Sequence, residues 1–179
     1  MKLLINTSNR KKNCYKVLND IKEDNDYMFS LSDKEIKHCN GCGDCKNGLV
    51  KYCSINDDMQ ELYKQMAKFD RIVIATPIYM NFFCGQLKII IDRLRSHQKH
   101  SELLKNKEIY LILIGQLSEE DNKDVIKIVT DYFKSLTEFM EFNFHFLGYI
   151  SSGIIEEIDA IEKNNANYND IIEKIKNSI

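Results

Sequence analysis

Short, nearly continuous apolar runs alternate along the chain with segments whose apolar residues recur every three or four positions. Lys2 to Asn6 reads as a buried strand and Cys14 to Ile21 as the amphipathic helix that follows it. Tyr27 to Leu31 predicts a second strand. After a long polar stretch, Met59, Leu62, Tyr63 and Met66 fall at i, i+3, i+4 and i+7, a helix that Asn56 or Asp57 can cap. Arg71 to Thr76 predicts a third strand and Glu108 to Gly115 a fourth; between them, Leu87, Ile90, Ile91 and Leu94 give one apolar face to a helix over about Gly85 to Arg95. Val125, Ile126, Val129, Tyr132, Phe133, Leu136 and Met140 line a long helix. Asn143 to Ile150 completes the strands, and Ile171, Ile172, Ile175 and Ile179 predict a closing helix.

Strands that are apolar on both faces and separated by amphipathic helices form a parallel sheet covered on both sides. Five of them suit an α/β doubly wound sandwich with strand order 2-1-3-4-5. No repeat or linker interrupts the pattern, so residues 1–179 are expected to form one domain. In that topology a ligand crevice opens at the carboxyl ends of strands one and three. The loops that face it are Asn6 to Asn13 and Thr76 to Phe83.

Composition narrows the function classes. A net charge of -2 with 29% charged residues lacks the basic excess that a nucleic-acid partner requires. The longest apolar runs are too short to span a bilayer, and the first one turns polar at Asn6, so no membrane partner or secretory signal is expected and a cytoplasmic location is. Six cysteines, four of them clustered, then point to metal or redox chemistry rather than structural disulfides.

The first loop, Thr7-Ser8-Asn9-Arg10-Lys11-Lys12-Asn13, combines hydroxyls, amides and cations at a helix start, a setting for a terminal phosphate. It carries neither the dinucleotide fingerprint nor a P-loop, so a mononucleotide phosphate fits better than NAD or a nucleoside triphosphate; a merely solvated loop is the alternative. The second loop holds the chain's one proline, Pro77, which is expected to stop the third strand. Its apolar and aromatic residues, with the Thr76 hydroxyl and the Asn81 amide, can cover a flat heteroaromatic ring; Tyr79, Phe82 and Phe83 can instead serve only as core.

Residues 38–54 form a Cys-rich loop in which Cys39, Cys42, Cys45 and Cys53 give the spacing C-x2-C-x2-C-x7-C. Gly41 and Gly43 let three sulfurs curl together and the longer spacer returns a fourth, the logic of a 4Fe-4S centre. Zinc, which favours two separated C-x2-C knuckles, and unliganded or disulfide-paired thiols are the other readings of this spacing. Cys14 and Cys84 are expected to be packed, small and unreactive.

Thr76-Pro77-Ile78-Tyr79, Gly85-Gln86-Leu87-Lys88 and Asp92-Arg93 resemble the signature of the NADPH-dependent FMN reductase and iron-sulfur flavoprotein branch of the flavodoxin-like superfamily, over roughly Met1 to Ser151. The resemblance implies a flavodoxin-like FMN domain whose chemistry rests on the flavin rather than on a catalytic side chain. Thr7, Ser8, Arg10 and Asn13 would then hold the FMN phosphate, and Thr76, Pro77, Ile78, Tyr79, Met80, Asn81, Gly115 and Gln116 would line the isoalloxazine. Cys14 stands where a phosphate-binding Thr or Ser is usual, and Asn6-Thr7-Ser8 where Gly-Ser-Pro is common, departures that bear on FMN affinity. The resemblance further implies NAD(P)H as donor, a small-molecule or protein electron partner, a 4Fe-4S cluster on the four cysteines, and a homodimer or homotetramer.

Two functions follow from these readings: an electron-transfer flavoenzyme that uses a cluster, and a plain NAD(P)H:FMN or quinone oxidoreductase whose cysteine loop holds no iron. A non-catalytic module, such as a phosphorylated receiver, would need carboxylates where Asn6-Thr7 and Thr76-Pro77 stand.

Overall fold

Alternate residues of the central strands serve opposite faces of one sheet, which is why their sequences are apolar without interruption. Leu3 and Ile5, Ile72 and Ile74, and Ile109, Leu111 and Leu113 enter one core; Leu4, Val73 and Ala75, and Tyr110, Ile112 and Ile114 enter the other. This partition comes from a computed structural model, which describes residues 1–95, 102–153, 161, 165 and 168–179.

The elements run β1 (Leu3–Asn6), α1 (Asn13–Ile21), β2 (Tyr27–Ser30), α2 (Met59–Lys68), β3 (Arg71–Tyr79), β4 (Phe82–Phe83), α3 (Gly85–Arg93), β5 (Glu108–Gly115), α4 (Lys123–Met140), β6 (Asn143–Ser151) and α5 (Tyr168–Lys176). The main sheet is parallel in the order β2-β1-β3-β5-β6, the expected doubly wound topology with a short sixth strand, β4, added on β3. Helices α1 and α5 bury Val17, Leu18, Ile21, Ile172 and Ile175 in the second core. Helices α2, α3 and α4 bury Met59, Leu62, Leu87, Ile90, Val129 and Phe133 in the first. Phe142, just before the last strand, and Phe144 and Phe146 within it pack on that first core as well.

Pro77 does not end the third strand as expected. β3 continues to Tyr79, with Pro77 in register opposite Ile114. Proline lacks only the donor; its carbonyl accepts the Cys84 N–H at 3.1 Å, so the strand continues without an orphaned group. Ile78 and Tyr79 then pair antiparallel with Phe83 and Phe82. Met80 and Asn81 make the turn between them with φ of 48° and 60°. Two consecutive positive φ values are the pattern of a type I′ hairpin, whose twist matches the strands it joins. The expected apolar loop is therefore a hairpin. Phe82 and Phe83 pin it to α4, packing on Tyr132 and Phe133 at centroid distances of 5.5–5.9 Å.

Helix α3 ends at Arg93, two residues short of the expected boundary. Among the described residues no helix is long and apolar enough to cross a membrane.

Candidate functional site

Three segments that leave carboxyl ends of adjacent strands converge on one cleft of ≈ 200 Å³. The loop after β1 and the first residues of α1 supply Ser8, Arg10, Asn13 and Cys14; the β3 hairpin supplies Pro77, Ile78 and Tyr79; the end of β5 supplies Gly115 and Gln116. All nine were singled out in the sequence. Lys12, read only as one of the loop's cations, lines the cleft as well, and so do Ile114, Ser152 and Gly153, which were not singled out. Ser152 follows β6, and its backbone N–H donates to the Gly115 carbonyl at 2.7 Å, so it enters through strand pairing that no local motif announces.

Four residues expected to line this site do not present side chains to it. Thr7 and Thr76 are fully buried, and each hydroxyl lies 3.4 Å from the Cys84 sulfur; Thr7 Oγ1 also donates to the Ala75 carbonyl. Their hydroxyls thus bind β1, β3 and the start of α3 to one another. Met80 and Asn81 sit at the exposed hairpin tip, where the two-residue turn carries them away from the cleft wall.

Asn6 organises the first loop. Its Oδ1 accepts the Ser8 N–H at 3.0 Å, while its Nδ2 donates to the Ser8 carbonyl and to Ser30 Oγ. A fully buried asparagine thereby holds the turn. The Ser8 hydroxyl then accepts the Arg10 N–H, and the Arg10 guanidinium reaches across the cleft mouth to donate to the Tyr79 hydroxyl at 3.2 Å. Asn13 Oδ1 is buried without a partner among the described residues, an acceptor that a ligand hydroxyl could satisfy. Cys14 is buried, and burial first, then the neighbouring Cys84, push its thiol well above the ordinary range; it packs rather than reacts.

Gly115 has no room for a side chain. A Cβ there would collide with the Tyr149 hydroxyl, and that hydroxyl is fixed by donating to the Leu117 carbonyl and accepting from Asn122 Nδ2.

The four clustered cysteines lie together on a second cavity of ≈ 330 Å³. Gly41 and Gly43 both take the left-handed conformation that lets the chain curl between them. Their thiols face one cavity but do not close on a point: among the described residues no three His, Cys, Asp or Glu side chains meet as a metal site. The fit to a thiolate-ligated metal is thus one of donor chemistry and common cavity.

Below the loop its two stalks are tied. Lys37 N–H donates to Asp57 Oδ2, Glu35 N–H to Asp58 Oδ2, and Gln60 Nε2 to the carbonyls of Cys53 and Ile55. Arg93, at the end of α3, closes the base with a bidentate pair to Asp57 at 2.8 and 3.1 Å and a bond to the Lys37 carbonyl at 2.8 Å. Both side chains are essentially buried, 0% and 3% exposed. Burial pulls the Asp57 carboxyl upward, but the Arg93 guanidinium and the N–H groups of Lys37 and Met59 outweigh it and leave it below the usual carboxylate range.

Comparison with known proteins identifies what carries this cleft. Residues 1–122 match the family described as NADPH-dependent FMN reductase. The chain belongs to the NADPH-dependent FMN reductase family. Within it, the chain is 31% identical over 127 residues to an iron-sulfur flavoprotein of Methanosarcina thermophila, covering 67% of this chain and 65% of that protein. An iron-sulfur flavoprotein of Methanocaldococcus jannaschii is 31% identical over 106 residues, 59% of this chain and 53% of its own length. The chain thus spans between about half and two thirds of these relatives. Among solved structures, an NAD(P)H:quinone oxidoreductase from Methanothermobacter marburgensis superposes with a TM-score of 0.67 at 12% identity, over 99% of this chain and 94% of that one. An FMN-dependent NADH-azoreductase from Bacillus anthracis, in complex with FMN, gives 0.59 at 12%, over 99% and 98%. Both share the flavodoxin-like fold of this FMN reductase family member.

Proposed function

We propose that this chain is an FMN-dependent oxidoreductase that passes electrons between NAD(P)H or a protein donor and an acceptor, with a 4Fe-4S cluster on Cys39, Cys42, Cys45 and Cys53. The observation that carries the reading is the convergence of the β1 loop, the β3 hairpin and the β5 turn on one cleft in a chain of the FMN reductase family. The names of the iron-sulfur flavoprotein relatives support the cluster.

Arg10, Ser8 and the N-terminal end of α1 offer charge and donors to a phosphate, and the unpartnered Asn13 oxygen suits a ribityl hydroxyl. Pro77, Ile78 and Tyr79 on one side and Gly115 and Gln116 on the other bracket the ring. When bound, FMN accepts a hydride as an electron pair and can release the electrons singly. The chain's own part is to position the ring against an open mouth and to hold the phosphate.

The Tyr79 bond uses one guanidinium nitrogen of Arg10 and leaves other N–H donors for a phosphate. Arg10→Ala is therefore expected to raise the FMN Kd roughly ten- to a hundredfold, the worth of one charge-assisted bond at about 1.5–3 kcal/mol. Riboflavin, which has no phosphate, should bind both proteins equally in a fluorescence titration; a parallel loss for riboflavin would remove Arg10 from the phosphate site.

The test of the whole reading is anaerobic purification with FMN, iron and sulfide quantified per chain. One FMN and one 4Fe-4S cluster per chain are expected, with the iron lost in Cys42→Ala. No flavin even after FMN is added would overturn the proposal. FMN without iron would favour the second reading, a plain NAD(P)H:FMN or quinone oxidoreductase.

A further inference from the structure

Arg93 has more donors than the protein satisfies. Its Nη1 donates to Asp57 and to the Lys37 carbonyl, and its Nη2 to Asp57 and, at 3.4 Å, to the Ile55 carbonyl. Its Nε–H is buried and has no acceptor among the described residues, in a side chain with no exposure at all. An unmet donor on a buried cation is costly and calls for a partner. Every group that the Arg93 guanidinium binds among the described residues belongs to the two stalks of the cysteine loop. Cys53 is the cysteine tied into this base: Gln60 Nε2 donates to its carbonyl and to the Ile55 carbonyl that Arg93 Nη2 also meets, and Tyr63 donates to the Arg93 carbonyl at 2.6 Å. Cys53 is also half-buried, with its carbonyl fixed by Gln60.

We propose that Arg93 is the positioning residue of the metal centre: its unpartnered Nε–H is the donor for the Cys53 sulfur once that sulfur is a metal-bound thiolate. The inference rests on the metal-binding reading of the cysteine loop. It assigns two effects to one side chain. The bidentate pair with Asp57 sets where the loop closes, and the buried cation favours whichever state of the centre carries more negative charge. An N–H···S bond and a fixed positive charge both raise a cluster's reduction potential.

The first test compares midpoint potentials of the iron-loaded wild type, Arg93→Gln, Arg93→Lys and Asp57→Asn by spectroelectrochemistry. Arg93→Gln should move the midpoint negative by at least a tenfold change in the redox equilibrium, about 59 mV for one electron. Arg93→Lys should recover part of that shift because it keeps the charge. Asp57→Asn, which removes the compensating anion and keeps Arg93, should move the midpoint the other way. A role confined to bracing the fold predicts no such opposed signs, so unchanged midpoints in Arg93→Gln or Asp57→Asn would overturn the proposal.

A second measurement does not need the cluster. With zinc(II) as a diamagnetic probe added to iron-free protein, the Arg93 Nε–H nitrogen-proton resonance should shift downfield and exchange more slowly with solvent. It should fail to do so in Cys53→Ala. Zinc binding with no response at Arg93 would overturn the proposal whether or not the wild type takes up iron. A wild type that binds zinc and shows the response but never holds iron would defeat the iron-sulfur reading alone. Uptake of neither metal at these cysteines would overturn both.

Discussion

Asp57→Leu is expected to destabilise the protein by ~3–5 kcal/mol, because it leaves the Arg93 guanidinium buried without its counter-charge. The magnitude is large for one residue since Asp57 serves four donors: both terminal nitrogens of Arg93, the Lys37 N–H and the Met59 N–H that begins α2. Losing it frees the first stalk of the cysteine loop and leaves the Met59 N–H at the start of α2 without its acceptor. Urea denaturation of the apoprotein would measure the effect, and a change under 1 kcal/mol would contradict the pair's assigned place. The same carboxylate predicts a pH dependence. Its folded pKa is depressed, so its contribution is complete above the unfolded carboxylate value, near ~3.9, and is lost as pH falls through the lower folded value. Wild-type stability should therefore fall more steeply than that of Asp57→Leu at the acid end.

The second large effect is expected at Gly115. Gly115→Ala drives a Cβ into the Tyr149 hydroxyl and to 2.8 Å from two ring carbons, and the ring cannot retreat while its hydroxyl is held by Leu117 and Asn122. Overpacking of this kind costs about 1–3 kcal/mol. Here the strain falls on the wall of the cleft, so FMN affinity should drop at least roughly tenfold, the equivalent of about 1.4 kcal/mol. Gly115→Ala combined with Tyr149→Ala removes the obstacle and should recover part of the affinity. Equal FMN binding by Gly115→Ala and wild type in an equilibrium titration would show that the wall yields without consequence.

The sheet and its helices were legible because the central strands are nearly continuous apolar runs, the pattern of a doubly covered sheet. The cleft was largely legible too, since Ser8, Arg10, Asn13 and the Pro77–Tyr79 segment lie next to one another in sequence. The β3 hairpin was not. Its turn, Met80-Asn81, lacks the Asn-Gly signal, and two residues of pairing are too short a pattern to detect. Proline also misled, because its missing donor says nothing of its carbonyl. The Thr7 and Thr76 hydroxyls looked like ligand contacts by type and position, and only the buried Cys84 sulfur between them shows why they turn inward. The Arg93–Asp57 pair spans 36 positions, beyond any local spacing. One signal was present: Arg93 falls three residues after Ile90 on the buried face of α3, where a cation needs a partner.

Helix α3 joins the two sites end to end. Cys84 begins it beside Thr7 and Thr76 at the base of the hairpin, and Arg93 ends it at the base of the cysteine loop. Nine helical residues make a rod of about 13 Å. The helix is thus a ruler whose graduations are whole turns. Inserting or deleting a single residue would rotate Arg93 by about 100° and carry it off the loop, whereas an added turn would keep its bearing and lengthen the separation. Among homologous chains, the spacing between the two ends of this helix should be either constant or stepped, and it offers an engineer a discrete dial for the separation of the cleft from the cysteine loop.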